Sequence, residues 1–376
     1  MTAATSIQKL LELGQSIWLD YVRRDLVEGG ELKRMIEHDG LRGITSNPSI
    51  FEKAIAESTL YDDAIKTALA QNPSQSDEEL FFRLAIEDVR AACDQFAPVY
   101  QNSDHSDGLV SLEVSPDLAN DTDATIREAK ALWRQVDRPN LMIKVPATLE
   151  GLPAINELLF AGINVNVTLL FSVERYESVL AAWFEALEMR VDAGLSLTDI
   201  NSVASFFVSR VDTKVDAALE ANGSPEALAV KGHAAVANAK VAYAHFRKQM
   251  ESKRWERLAS AGAKPQRLLW ASTSTKNPAY PPLLYVETLI GPHTVNTLPP
   301  ATYKKLLEVP PDSLDISIDR DLDEARALLS RLPEFGISLN TITQTLEREG
   351  VDAFSQAIHA LLTRLKERRA ALLGGA

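Results

Sequence analysis

Lys144 closes the apolar run Asn140-Leu-Met-Ile-Lys-Val-Pro146, and a lysine so placed must be either paired or chemically employed. Leu141, Met142, Ile143 and Val145, stopped by Pro146, have the pattern of a strand buried on both faces in a parallel sheet. An ammonium there is costly to desolvate, so its pKa is expected to fall and to leave neutral, nucleophilic amine at neutral pH. That is what a Schiff-base lysine needs. Nothing adjacent in the sequence pairs it. The plain alternative is a lysine that carries its ammonium out to water along its own stem, or neutralises a carboxylate.

Other polar residues recur at predicted strand ends. Thr45/Asn47, Asn166/Thr168 and Ser272/Ser274 are each two apart, and side chains at i and i+2 share a face of a strand. Ser111, Glu113 and Ser115 do the same in Gly108–Pro116, and Asp20 ends the apolar segment Ile17-Trp-Leu. Singly, each reads as a satisfied core polar group or a helix cap. Together, each followed by a helix-like segment, they meet most simply at the carboxyl ends of a ring of parallel strands, where inward polar residues read as catalytic.

The elements that must position these residues alternate as βα units. Strands are predicted at 17–20, 43–47, 109–114, 141–145, 163–169, 201–207, 267–271 and 294–298, with helices at 30–38, from 48, and at 122–136, 152–160, 173–191 and 210–221. The expected fold is therefore α/β, a (β/α)8 TIM barrel with additional helices. We expect one catalytic domain over 1–376, with a helical insertion at 222–265 built on a long alanine-rich helix, Glu226 to Arg257. C-terminal helices over 313–376 are expected to pack on the barrel as an outer layer and tail. At 376 residues the chain is long for a barrel of about 250, which such additions accommodate.

Composition narrows the partners. A net charge of -13 and a pI near 5.1 argue against nucleic acid or an anionic membrane surface, although local basic residues remain able to bind phosphate. The single cysteine, Cys93, falls in a helical-looking stretch and excludes a disulfide framework within the chain. Neither a signal-peptide pattern nor a run of eighteen apolar residues is visible, so the expected setting is the cytoplasm. Phosphate-binding Gly-rich loops and His-Glu-x-x-His spacing are absent, and no metal or cofactor is expected. Monomer and homodimer both remain open.

Three segments resemble one family. Gly43-Ile-Thr-Ser-Asn-Pro-Ser-Ile-Phe51 is similar to the second-strand signature of transaldolases, Leu141-Met-Ile-Lys-Val-Pro-Ala-Thr148 to the segment holding their Schiff-base lysine, and Asn164-Val-Asn-Val-Thr-Leu-Leu-Phe-Ser172 to their fifth-strand motif. The resemblance runs from about Ile17 to the C-terminal helix. It implies metal-free transfer of a dihydroxyacetone unit from a ketose phosphate to an aldose phosphate. In that scheme Lys144 forms the Schiff base, Asp20 handles the C4 hydroxyl proton, and Glu113 shuttles protons through a water held by Thr168. Thr45, Asn47, Asn166 and Ser205 hold substrate hydroxyls or the bound three-carbon unit. Arg210, in Ser205-Phe-Phe-Val-Ser-Arg210, matches the family's phosphate-binding arginine.

Alternatives stand beside these roles. Asp20 has Arg23 and Arg24 as candidate ion-pair partners, Glu113 has Lys144, and Arg210 has Asp212 and Asp216. The chain also departs from the family: Ala271-Ser-Thr-Ser-Thr-Lys-Asn277 keeps Ser272 but has Ser274 where a second phosphate-gripping arginine is expected. Lys276 can supply charge there, though without a bidentate fork. Two rival functions are a fructose 6-phosphate aldolase-like enzyme that releases free dihydroxyacetone and a non-catalytic sugar-phosphate-binding barrel.

Overall fold

The computed structural model describes residues 4–46 and 48–374. Eight parallel strands close into a barrel in chain order: β1 (Gln15–Asp20), β2 (Gly43–Thr45), β3 (Leu109–Glu113), β4 (Leu141–Pro146), β5 (Val165–Leu170), β6 (Ser202–Phe207), β7 (Arg267–Ala271) and β8 (Thr294–Leu298). The fold is the (β/α)8 TIM barrel that the alternating pattern predicts. β3 to β6 are buried along their whole length, one face toward the barrel interior and the other toward the helices, which is why they read as near-continuous apolar runs.

Register decides which polar residues become neighbours. Asp20 lies beside Thr45 and Thr45 beside Ser111, while Glu113 lies beside Lys144 and Lys144 beside Asn166. The opposite, amino-terminal end is tied for stability. There Arg267 donates to Asp107 at 3.0 Å and to Ser16 at 2.9 Å, and Ser16 donates to the other Asp107 oxygen at 2.7 Å. β2 begins with glycine for a steric reason: a Cβ on Gly43 would sit 2.6 Å from the buried indole of Trp18 on β1.

Several boundaries differ from expectation. β2 ends at Thr45, and Asn47 lies outside the described residues. The predicted helix 30–38 is a four-residue α-helix, Glu31–Arg34, running into a π turn, Met35–Asp39. The single helix expected over Glu226–Arg257 is three: Pro225–Leu228, Ala234–Met250 and Lys253–Ser260. Gly232 at φ +75° breaks the first join, and Ser252 accepts from the Trp255 N–H to start a new helix at the second.

The C-terminal helix, Leu339–Gly374, does more than cover the outside. It packs on helix Pro48–Glu57 and on β5, and it approaches so closely that a Cβ on Gly350 would lie 2.9 Å from Leu169. Its course takes it to the carboxyl ends of the strands. Among the described residues no helix is long and apolar enough to cross a membrane.

Candidate active site

Lys144 sits near the end of β4 with its side chain only 8% exposed. Its Nζ donates to the Ser46 carbonyl at 3.1 Å and lies 3.6 Å from Glu113 Oε2. Nothing adjacent in the sequence pairs the amine, and the Glu113 carboxylate named as its candidate partner stands beside it. That partner lies on the neighbouring strand, and the β3–β4 register places the two side by side. The Phe354 ring, from the C-terminal helix, stands 5.9 Å from Nζ and forms a wall of the same cavity.

Glu113 is buried behind the lysine, where Phe51, Phe81 and Phe82 line its far side. Burial pushes its carboxyl above the usual carboxylate range, and the Lys144 ammonium pulls against that shift. Among the described residues neither Glu113 oxygen has a hydrogen-bond partner, and neither does Thr168 Oγ1. Buried polar atoms are seldom left so. These three atoms are the acceptors and donor that a proton-carrying water needs.

On the other side, Thr45 Oγ1 donates to Asp20 Oδ1 at 2.9 Å, and with its one proton so committed it accepts from Thr297 Oγ1 at 3.0 Å. Asp20 is thus oriented by hydroxyls from β2 and β8. Its two candidate ion-pair partners are engaged with other carboxylates: Arg23 binds Asp25, and Arg24 binds Asp88 and Glu87. Asn166 is fully buried, donating to Ser111 Oγ at 3.0 Å and accepting from Ser205 Oγ at 2.6 Å. This arrangement fixes the amide between β3 and β6, beside Lys144.

The cationic residues collect at the rim. Arg210, in the first turn of helix Ser209–Asn222, lies over the Phe207 ring with 5.6 Å to its centroid, and desolvation holds its pKa below the ordinary arginine value. Among the described residues it makes no ion pair. Asp212 and Asp216, its candidate partners, are bonded to tyrosines instead. Ser272 adopts φ +56° and shares a hydrogen bond of 2.9 Å with Ser209, and exposed Lys276 donates to Ser274 at 2.9 Å.

One cavity collects Asp20, Thr45, Lys144, Thr168 and Ser205 with Arg210, Ser272 and Lys276. Glu113 and Asn166 stand immediately behind its wall. Asn47 lies outside the described residues. Thr297, the Ser46 carbonyl and Phe354 escaped the sequence. Thr297 left a faint signal, a hydroxyl residue next to the end of a strand, but a carbonyl has no sequence signature and Phe354 comes from a helix that looked peripheral. Chemically, the cavity offers an amine nucleophile, two carboxylates of different environment and an anion-attracting rim. Among the described residues no group of three or more His, Cys, Asp or Glu side chains is arranged to hold a metal.

The comparisons with known proteins agree with that inventory. A family model described as Transaldolase/Fructose-6-phosphate aldolase matches residues 17–365. Proteins named Transaldolase from Thermobifida fusca and Trichodesmium erythraeum are 46% and 45% identical, over 97% and 95% of this chain and 98% and 95% of their own lengths. One from Acidothermus cellulolyticus is 47% identical over 96% of this chain and 97% of its own length. With fold, cavity and full-length similarity in accord, the protein is an enzyme with transaldolase activity, and the chain belongs to the transaldolase/fructose-6-phosphate aldolase family.

Proposed function

We propose that the enzyme moves a dihydroxyacetone unit from a ketose phosphate, fructose 6-phosphate or sedoheptulose 7-phosphate, to an aldose phosphate, erythrose 4-phosphate or glyceraldehyde 3-phosphate, in the non-oxidative pentose phosphate pathway. Lys144 attacks the C2 carbonyl to give a carbinolamine, which loses water to an iminium. The iminium then accepts the electron pair of the breaking C3–C4 bond, so that an enamine forms in place of a free carbanion. Asp20 takes the C4 hydroxyl proton as that bond breaks, and the aldehyde fragment leaves. The steps run backward with the acceptor aldehyde, Asp20 returning its proton to the new hydroxyl, and hydrolysis frees Lys144.

Glu113 moves protons during carbinolamine dehydration through a water held by Thr168. The observation that carries the reading is the approach of a buried amine to a buried carboxylate at 3.6 Å, the amine lining a cavity shared with Asp20 and Arg210. Asn166, Ser205 and Thr45 orient the reacting part, and Asn47 belongs with them by resemblance alone. Arg210 and Lys276, with Ser272, hold the phosphate, the lysine as a point charge where a bidentate fork is lacking. The buried, free Cys93 suits a reducing cytoplasm.

Acceptor dependence tests the transfer against aldolase chemistry. Incubated with fructose 6-phosphate alone, the enzyme forms its enamine and stalls, and addition of erythrose 4-phosphate restores turnover. Steady release of free dihydroxyacetone without any acceptor would instead identify an aldolase.

A further inference from the structure

Asp212 and Asp216 stand one turn apart on helix Ser209–Asn222, only 2% and 7% exposed, and among the described residues neither has a cationic partner. Burying two carboxylates without a counter-ion is costly unless every oxygen is well bonded, so their partners matter. Each divides its oxygens in the same way. Asp212 accepts the Ala235 N–H at 2.7 Å and the Tyr285 hydroxyl at 2.7 Å, while Asp216 accepts the Gly232 N–H at 2.8 Å and the Tyr280 hydroxyl at 2.6 Å. Hydrogen bonds from hydroxyl to carboxylate of this length belong to the strong, direction-fixing kind.

The segments joined are those that carry the rim cations. Helix Ser209–Asn222 presents Arg210 from its first turn, and Tyr280 and Tyr285 belong to the β7–β8 connection that presents Ser272, Ser274 and Lys276. The third segment, 232–235, acts as the anvil. Gly232 adopts φ +75°, and a Cβ there would come 2.7 Å from Tyr280 Cζ, so the tyrosine ring lies directly on the glycine. Only a residue without a side chain lets the ring reach Asp216 and still lets its own N–H reach the same carboxylate.

We propose that Asp212 and Asp216, with Tyr285, Tyr280 and Gly232, are positioning residues that fix the spacing between Arg210 and the Ser272–Lys276 segment, and so set how tightly the substrate phosphate is held. The proposal rests on the assignment of Arg210 to that phosphate. A phosphate gripped from two separate segments is bound well only when both are held in place beforehand, because mobility in either is lost on binding. Among the described residues Lys144 is partnered by the Ser46 carbonyl and Glu113 and not by these five, so the chemistry at the ketose carbonyl lies outside their reach.

The test measures KM and kcat for Tyr280→Phe, Tyr285→Phe and the double variant, using fructose 6-phosphate and, separately, unphosphorylated fructose as donor. Arg210→Ala is measured alongside, alone and combined with Tyr280→Phe, and thermal unfolding verifies that each variant is folded. Loss of a hydroxyl-to-carboxylate bond raises the fructose 6-phosphate KM on the order of tenfold, with its kcat and the slow turnover of unphosphorylated fructose unchanged. In the Arg210→Ala background the Tyr280→Phe effect disappears. Gly232→Ala, which displaces the ring without removing any hydroxyl, shifts KM in the same direction. If Arg210→Ala raises the phosphate-dependent KM and the tyrosine variants do not, or if they slow both donors equally, the positioning role is wrong. If Arg210→Ala itself leaves the preference for the phosphorylated donor intact, the phosphate assignment fails and this proposal with it.

Discussion

Lys144 and Glu113 stand opposite each other in the β3–β4 register, with amine and carboxylate 3.6 Å apart and both side chains under a tenth exposed. This pair ties stability to function. Neither group is comfortable in its site alone, and each supplies what the other lacks: the lysine a nucleophile, the glutamate a proton carrier whose carboxyl burial has pushed up.

Replacing Lys144 by Ala removes the electron sink. Turnover is expected to fall on the order of a thousandfold or more. Glu113 then loses the Lys144 charge that opposes its burial, and it relieves the strain by binding a proton, so the variant remains folded. Circular dichroism paired with a coupled activity assay checks both halves.

For Glu113→Gln, kcat is expected to drop about a hundredfold, typical of losing a general acid-base group. The sign of its pH dependence follows from burial. Its pKa lies above the ordinary 4.5 of a glutamate, so in the native enzyme the carboxylate becomes protonated, and turnover falls, as pH drops through that raised value. The acid limb of kcat/KM against pH should therefore sit above 4.5 in the native enzyme and vanish in the glutamine variant. A retained limb contradicts the assignment.

Arg210→Ala should cost affinity and spare chemistry. A charge-assisted contact is worth about 1.5 to 3 kcal/mol, so the KM for a ketose phosphate rises roughly ten- to a hundredfold with kcat little changed. Lys276 is exposed and already spends a donor on Ser274, so Lys276→Ala raises KM by less than about tenfold. Equal effects of the two variants would show that the lysine fully replaces the missing arginine.

Gly43→Ala tests the barrel. Its new methyl meets the Trp18 ring at 2.6 Å, with no room on a closed sheet to move away, and overpacking of this kind costs about 1 to 3 kcal/mol. Urea titration followed by tryptophan fluorescence should show an earlier midpoint with an unchanged slope.

Phe354→Ala opens the cavity beside Lys144 from the C-terminal helix. Water then reaches the enamine more readily, and the ratio of free dihydroxyacetone to transferred product rises. Product analysis by chromatography reads the ratio directly, and an unchanged ratio would remove Phe354 from any role in guarding the intermediate.

The barrel was legible because parallel strands buried on both faces leave unbroken apolar runs, as at Leu141–Val145. Asn166 and Thr168 announced themselves on β5 by their i, i+2 spacing, whereas Ser272 and Ser274 lie past β7, which ends at Ala271, so theirs is not the spacing of a strand face. What stayed hidden depends on backbone atoms or on distant chain. The Ser46 carbonyl that accepts from Lys144 has no side chain to announce it, and Phe354 reaches the amine from about two hundred residues downstream. The alanine-rich stretch after Glu226 misled because alanine favours helix everywhere, while the break is made by Gly232, whose backbone conformation follows from its contact with Tyr280 and Asp216.

The most direct test of the central claim is to trap the intermediate: incubate the enzyme with fructose 6-phosphate, reduce with borohydride, and locate the modified lysine by peptide mass spectrometry. A reduced dihydroxyacetone adduct is expected on Lys144 and is lost in Lys144→Ala. An adduct on another lysine, or none while turnover proceeds, would contradict it.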